Sequence, residues 1–223
     1  MSYQFSNMHF IMIISHFFLT SLMTQTSAIA KPAPKKGPRI LCVGDSLTDG
    51  YGVDKKSAYP AQLEKRLHAG GLPHAQVINA GTPGATSSSG LTTLKFHFKR
   101  MKPDLVIYAL GANDGLRGIS VQETEKKLAA ALEFMQSAGV KVILTGMQAP
   151  PNYGKKFPKE FAAIFPRLAK KYNVHLMPFL LDGVGGERNL NQADGIHPNE
   201  AGYKVVSQNL YDQVRKIYVD SVN

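Results

Sequence analysis

The chain has 223 residues, 43% hydrophobic and 19% charged, as an ordinary globular protein of one domain has. Its 26 Lys and Arg against 16 Asp and Glu give a formal charge of +10, scattered as singles and pairs such as Lys35-Lys36 and Lys170-Lys171. With no long basic run and no aromatic–basic RNA motif, that charge reads as a solvated surface, compatible with weak attraction to an anionic membrane, and no nucleic-acid partner is expected.

Residues 1–30 carry no Lys, Arg, Asp or Glu. Residues 10–23 are mostly apolar, and Ala28-Ile29-Ala30 offers a small-x-small cleavage site. This reads as a secretory signal peptide cut near Ala30, which places the mature protein in the periplasm or outside the cell. The apolar core is shorter than the roughly 20 residues of a spanning helix. The segment before it lacks Lys and Arg and offers only His9, so an uncleaved anchor is the alternative reading. Residues 31–38 are rich in Pro and Lys and read as a linker, leaving 39–223 as the domain. The single cysteine, Cys42, excludes an intramolecular disulfide. It sits in an apolar run and reads as a small buried hydrophobe. One buried thiol without a disulfide suits a bacterial periplasm.

From Arg39 onward strand-like and helix-like segments alternate. Residues 39–44 form the first expected strand, around Ile40-Leu41-Cys42-Val43. Residues 60–70 read as a helix, with Leu63 and Leu67 four apart and Gly70-Gly71 as its stop. A second strand is expected over 76–80 and a second helix from Ala85 to near Met101. Residues 105–110 are a continuous apolar run of strand length. Ser120 and Glu123 form a capping box for a helix whose apolar face is Val121, Thr124, Leu128, Leu132 and Met135, closed by Gly139. Residues 140–145 are the fourth strand. A long loop with Pro150-Pro151-Asn152-Tyr153-Gly154 leads to one helix ending near Tyr172. Residues 174–177 are a short fifth strand. A last helix begins at Asn199, with Tyr203, Val206, Leu210, Val214 and Ile217 on its apolar face.

Five strands alternating with helices imply a parallel sheet covered on both faces, which near-continuous apolar strands also require. Right-handed crossovers then put every strand's C-terminal end at one rim. After the first strand come Gly44-Asp45-Ser46-Leu47 and a glycine-rich turn, Thr48-Asp49-Gly50-Tyr51-Gly52. After the second comes Gly81-Thr82-Pro83-Gly84-Ala85-Thr86. After the third comes Gly111-Ala112-Asn113-Asp114-Gly115, and the loop beyond the fifth carries Asp194-Gly195-Ile196-His197-Pro198. These types suit acyl transfer. Ser46 is a poor nucleophile until a base takes its proton. His197 has a carboxylate three residues before it, and Asp194 can fix its tautomer. The N–H groups of Ser46 and Gly84 and the Asn113 amide could stabilise an oxyanion. Glycine at 84 would let the backbone approach a substrate closely. The rival readings are local: Ser46 and Asn113-Asp114-Gly115 as turn residues, and Asp194 with His197 as a metal pair, for which no third ligand is evident nearby. Asp114 reads as a support for its loop. His68, His74, His97 and His175 have no motif and read as surface or packing residues.

The four blocks in this order resemble the GDSL, or SGNH, hydrolase family, and more closely its bacterial periplasmic multifunctional esterases. The resemblance spans roughly residues 39–218 and includes the loop from Met147 to Gly154. It implies a flavodoxin-like three-layer α/β/α sandwich with a five-stranded parallel sheet. It also implies hydrolysis of esters or thioesters without a cofactor, with Ser46, Asp194 and His197 as catalytic residues and Ser46, Gly84 and Asn113 as the oxyanion hole. No Gly-x-Ser-x-Gly elbow surrounds Ser46, which sets it apart from α/β-hydrolases. Thr82-Pro83 before Gly84, Ala85 after it, and Ala112 depart from the family's usual Ser, Asp and Gly. Neither departure touches a catalytic atom, and both bear on pocket shape. The expected enzyme is a monomer acting on a small acyl ester or lipid. A carbohydrate O-deacetylase or acyltransferase, or a non-catalytic acyl-binding envelope protein, is the alternative, and the complete residue set argues against the last.

Overall fold

The computed structural model describes residues 1–2 and 37–218. The expected signal peptide, residues 1–2 apart, and all of the expected linker but Gly37 and Pro38 lie outside the described residues. Among those described, no helix is long and apolar enough to cross a membrane.

Five strands, β1 (Arg39–Gly44), β2 (Gln76–Gly81), β3 (Leu105–Ala109), β4 (Lys141–Thr145) and β5 (His175–Met177), form one all-parallel sheet in the order β2-β1-β3-β4-β5. This is the flavodoxin-like order. Residues 40–43 and 105–109 are buried throughout, because a central parallel strand has helices on both of its faces.

The chain steps from β1 to β2 in one direction and from β3 to β5 in the other. Right-handed crossovers therefore send the connecting helices to opposite faces. Helix α2 (Tyr59–Ala69) lies on one face, and α3 (Ser87–Phe98), α5 (Val121–Ser137) and α7 (Ile164–Tyr172) lie on the other. The C-terminal α8 (Glu200–Tyr218) packs on α2, where Arg66 donates to Ser207 Oγ at 3.0 Å and to the Lys204 carbonyl at 3.2 Å. Helix α5 packs against both α3 and α7. The expected apolar faces are the buried ones: Val121, Thr124, Leu128, Leu132 and Met135 in α5, and Tyr203, Val206, Leu210 and Val214 in α8, with Ile217 partly buried. Ser120 Oγ caps α5 by accepting from the Glu123 N–H at 3.2 Å.

Three expectations are corrected. The helix expected to begin at Ala85 begins at Ser87. The single helix expected before β5 is two, α6 (Lys156–Ala162) and α7, meeting at Ala163. Pro166 is the cause, since it has no N–H for the Ala162 carbonyl and its ring crowds that carbonyl. Short helices α1 (Ser46–Asp49) and α4 (Ala112–Leu116) stand where the start of a glycine-rich turn and a strand-end loop were expected.

Candidate active site

Strand β1 is central, so the segments that leave β1, β2 and β3 are neighbours at one rim. The first is α1. The Asp45 side chain accepts from the Leu47 N–H at 2.9 Å and so caps the helix that starts with Ser46. Asp45 is fully buried, and that burial pushes its carboxyl up to about 6, against the opposing pull of the Leu47 bond and of nearby His197.

His197 Nε2 lies 2.8 Å from Ser46 Oγ, and His197 Nδ1 lies 2.7 Å from Asp194 Oδ2. Asp194 Oδ1 also accepts from the backbone N–H groups of Ile196 at 2.9 Å and His197 at 3.0 Å. These bonds, led by the His197 N–H, hold the Asp194 carboxyl down at about 2. The imidazole is thus gripped by a carboxylate on one side and meets a hydroxyl on the other.

Gly84 and Asn113 arrive on the second and third segments. Gly84 has φ +76, in the left-handed region that favours glycine. A Cβ there would meet only Arg117 Nη2, at 3.5 Å, so within the protein backbone conformation rather than crowding calls for glycine. Asn113 Nδ2 donates to the Ala85 carbonyl at 2.9 Å and lies 3.4 Å from Asp45 Oδ2. Among the described residues, no protein acceptor pairs with the backbone N–H of Ser46 or of Gly84. Asp114 is buried and accepts from the Ser87 N–H at 2.8 Å, from Ser87 Oγ and from Thr124 Oγ1, joining α4 to α3 and α5. That is the loop support expected of it.

All five candidate residues except Asp194 line one cleft of about 210 Å³. Leu47, Tyr51, Pro83, Ala112, Leu116 and Ile196 supply its other, mostly apolar walls. Tyr51, Leu116 and Ile196 are exposed at the mouth, and the Tyr51 ring lies 4.8 Å from the His197 ring. These three wall residues went unread in the sequence, although Tyr51 and Ile196 sit inside the motif blocks and Leu116 directly follows one. Among the described residues no group of three or more His, Cys, Asp and Glu could hold a metal. Of the other described histidines, His68 meets the Ala75 carbonyl and His175 meets Gln213 Oε1.

The sequence matches the GDSL-like lipase/acylhydrolase family over residues 42–205, from inside β1 into α8. The chain belongs to that family. It is an ester-hydrolysing enzyme. It is 37% identical to the esterase TesA of Pseudomonas aeruginosa over 178 residues, 80% of this chain and 88% of that protein. It is 35% identical to the thioesterase 1/protease 1/lysophospholipase L1 of Escherichia coli K12, over 80% of this chain and 84% of that one. Among solved structures, the psychrotrophic esterase EstA of a Pseudoalteromonas species superposes with a TM-score of 0.77 at 32% identity, covering 81% of this chain and 98% of its own. The family match spans all four motif blocks of the enzyme, and with them Ser46, Gly84, Asn113, Asp194 and His197.

Proposed function

We propose that this enzyme hydrolyses acyl esters and thioesters, lysophospholipids among them, with Ser46 as nucleophile, His197 as base and Asp194 as the residue that orients His197. The observation that carries the reading is the placement of the His197 ring between Ser46 Oγ at 2.8 Å and Asp194 Oδ2 at 2.7 Å. On this reading Asp194 accepts a hydrogen bond from the His197 Nδ1–H, leaving Nε2 to take the Ser46 proton as Oγ attacks the acyl carbon. The tetrahedral oxyanion is met by the N–H groups of Ser46 and Gly84 and by the Asn113 amide. His197 then returns its proton to the departing alkoxide or thiolate. Water enters, gives a proton to His197 and attacks the acyl carbon, and His197 passes that proton to Ser46 Oγ as the acyl–Oγ bond breaks and the acid departs. The apolar walls of the cleft suit an acyl chain more than a sugar. The names of the Pseudomonas and Escherichia relatives favour ester, thioester and lysophospholipid substrates. The charge-free residues 1–30, with Ala28-Ile29-Ala30, support export as the route to them.

The test is hydrolysis of p-nitrophenyl acetate, butyrate, octanoate and laurate, with acyl-coenzyme A and lysophosphatidylcholine as thioester and lipid substrates. Turnover is expected across the series and to vanish in Ser46→Ala. Activity confined to acetate would replace this reading with a deacetylase, and no activity would replace it with an acyl-binding protein.

A further inference from the structure

The Ser46–His197 contact joins two segments that come from opposite ends of the domain, 151 residues apart in sequence. Asp194 cannot set that distance, because it belongs to the same short loop as His197 and moves with it. A second connection runs beside the contact, and Gln192 makes it. Gln192 Nε2 donates to the Tyr51 carbonyl at 2.7 Å and to the Pro198 carbonyl at 3.0 Å. Both partners are carbonyl oxygens, so the orientation of the amide is unambiguous. The Gln192 backbone N–H donates to the His197 carbonyl at 2.8 Å, closing the loop that carries the histidine. On the other side, the Tyr51 N–H donates to the Ser46 carbonyl at 3.1 Å. Ser46, Tyr51, Gln192 and His197 therefore form a closed circuit of hydrogen bonds, of which the Ser46–His197 contact is one link.

The surrounding residues fit the same purpose. Gly52 has φ +76, and a Cβ there would fall 2.1 Å from Gln192 Oε1. The positive φ favours glycine there, and any side chain would push the amide aside. Held in this way, the Tyr51 ring rests on His197 at 4.8 Å between centroids, although half of its own surface faces solvent.

We propose that Gln192 is a positioning residue, whose amide latches the segment after Ser46 to the histidine loop and so sets the Ser46–His197 distance and seats Tyr51 on the imidazole. The proposal rests on the reading of Ser46 and His197 as nucleophile and base. A latch of this kind acts on turnover rather than on substrate binding, because a misplacement of about 1 Å between reacting groups costs on the order of 100-fold in rate.

The variant is Gln192→Met, which keeps the volume, adds no charge and removes both donors. Kinetics with p-nitrophenyl butyrate are expected to show kcat lowered by about 10- to 100-fold with KM nearly unchanged and the melting temperature preserved. In the double variant with Tyr51→Ala, the tyrosine change is expected to add almost nothing, since the ring has already lost its seat. If Gln192→Met does not fold, Gly52→Ala displaces the same amide from the other side and is expected to lower kcat likewise with KM nearly unchanged, at some cost in melting temperature from its positive φ. A kcat within about twofold of wild type overturns the latch, as does a loss carried by KM or full additivity with Tyr51→Ala. Ser46→Ala in the same assay separates the two readings. If it is inactive while Gln192→Met is unimpaired, the latch fails alone; if it is active, the nucleophile reading fails.

Discussion

Asn113 donates its side-chain amide to the carbonyl of Ala85 at 2.9 Å, tying the segment after β3 to the segment after β2. The bond fixes the Asn113 side chain next to Gly84, so the two proposed oxyanion donors are held as one unit. Asn113→Ala removes a donor and this tie together. Turnover is expected to fall about 10²–10³-fold, with the larger change in kcat. Steady-state kinetics on a short-chain ester check it; a loss confined to KM would mean that Asn113 binds the ground state instead.

Asp194 carries a pH signature. Its carboxyl is held down at about 2 by the His197 and Ile196 N–H groups and the His197 ring. A carboxyl whose folded value lies below its unfolded value, ordinarily about 3.9, stabilises the fold above the unfolded value. That contribution is lost as pH falls from about 4 towards 2. Asp194→Asn is therefore expected to be less stable than wild type at neutral pH, with the gap closing on acidification. It is also expected to lose turnover, as much as His197→Ala or less, since Asn no longer fixes the tautomer. Urea melts at neutral and acidic pH, beside assays at neutral pH, measure both.

Asp45 has the opposite sign. Burial raises its carboxyl to about 6. The folded protein then holds this proton more tightly than the unfolded chain does, so stability falls as pH rises from about 4 to about 6. Asp45→Asn retains an oxygen for the Leu47 N–H and is expected to lack that decline. Comparing denaturation midpoints of the two proteins across this range tests the assignment, and parallel curves would refute it.

Tyr108, in the middle of the sheet, is fully buried, and among the described residues its hydroxyl has no hydrogen-bond partner. The hydroxyl presses on Gly90 of α3, where an added Cβ would lie 1.9 Å from it. An unpaired buried hydroxyl costs about 1–3 kcal/mol of desolvation. Tyr108→Phe keeps the ring and removes that cost, so the melting temperature is expected to hold or rise. A drop equivalent to more than about 1 kcal/mol would reveal a partner for the hydroxyl.

Cys42 lies in β1 with no exposure, and burial pushes its thiol up to about 12. Thiolate is the reactive form. Iodoacetamide is expected to leave the native enzyme unmodified and active, and to alkylate one site once urea is added. Rapid native labelling, read by mass spectrometry, would contradict the burial.

Much of the architecture is legible in the residues because burial on both faces leaves a direct mark. Ile40 to Val43 and Leu105 to Ala109 are unbroken apolar runs, and the 3.6-residue spacing of Val121, Leu128, Leu132 and Met135 exposes one helix face. The short helices α1 and α4 were hidden because Gly-Asp-Ser and Asn-Asp-Gly also spell turns. What settles the matter is distant in sequence: Asp114 is held by Ser87 and Thr124. A local sign did exist for α1, since Asp45 stands two residues before the N–H it caps.

The sequence alone carries the chemical inventory: a serine at a strand end, a glycine loop, an asparagine, and a histidine three residues after an aspartate. It also determined that the strands are parallel, which sends their C-terminal ends to one rim. Which loops become neighbours is settled by tertiary packing, because strand order depends on which faces pack and no local pattern encodes it. That order puts β1 between β2 and β3 and so brings Gly84 and Asn113 to Ser46. Tertiary packing also carries the chain from β5 at the far edge back to Ser46, where Gln192 and Tyr51 meet across 141 residues. Those contacts are made by backbone carbonyls, which every residue type possesses, so the sequence holds no mark of them.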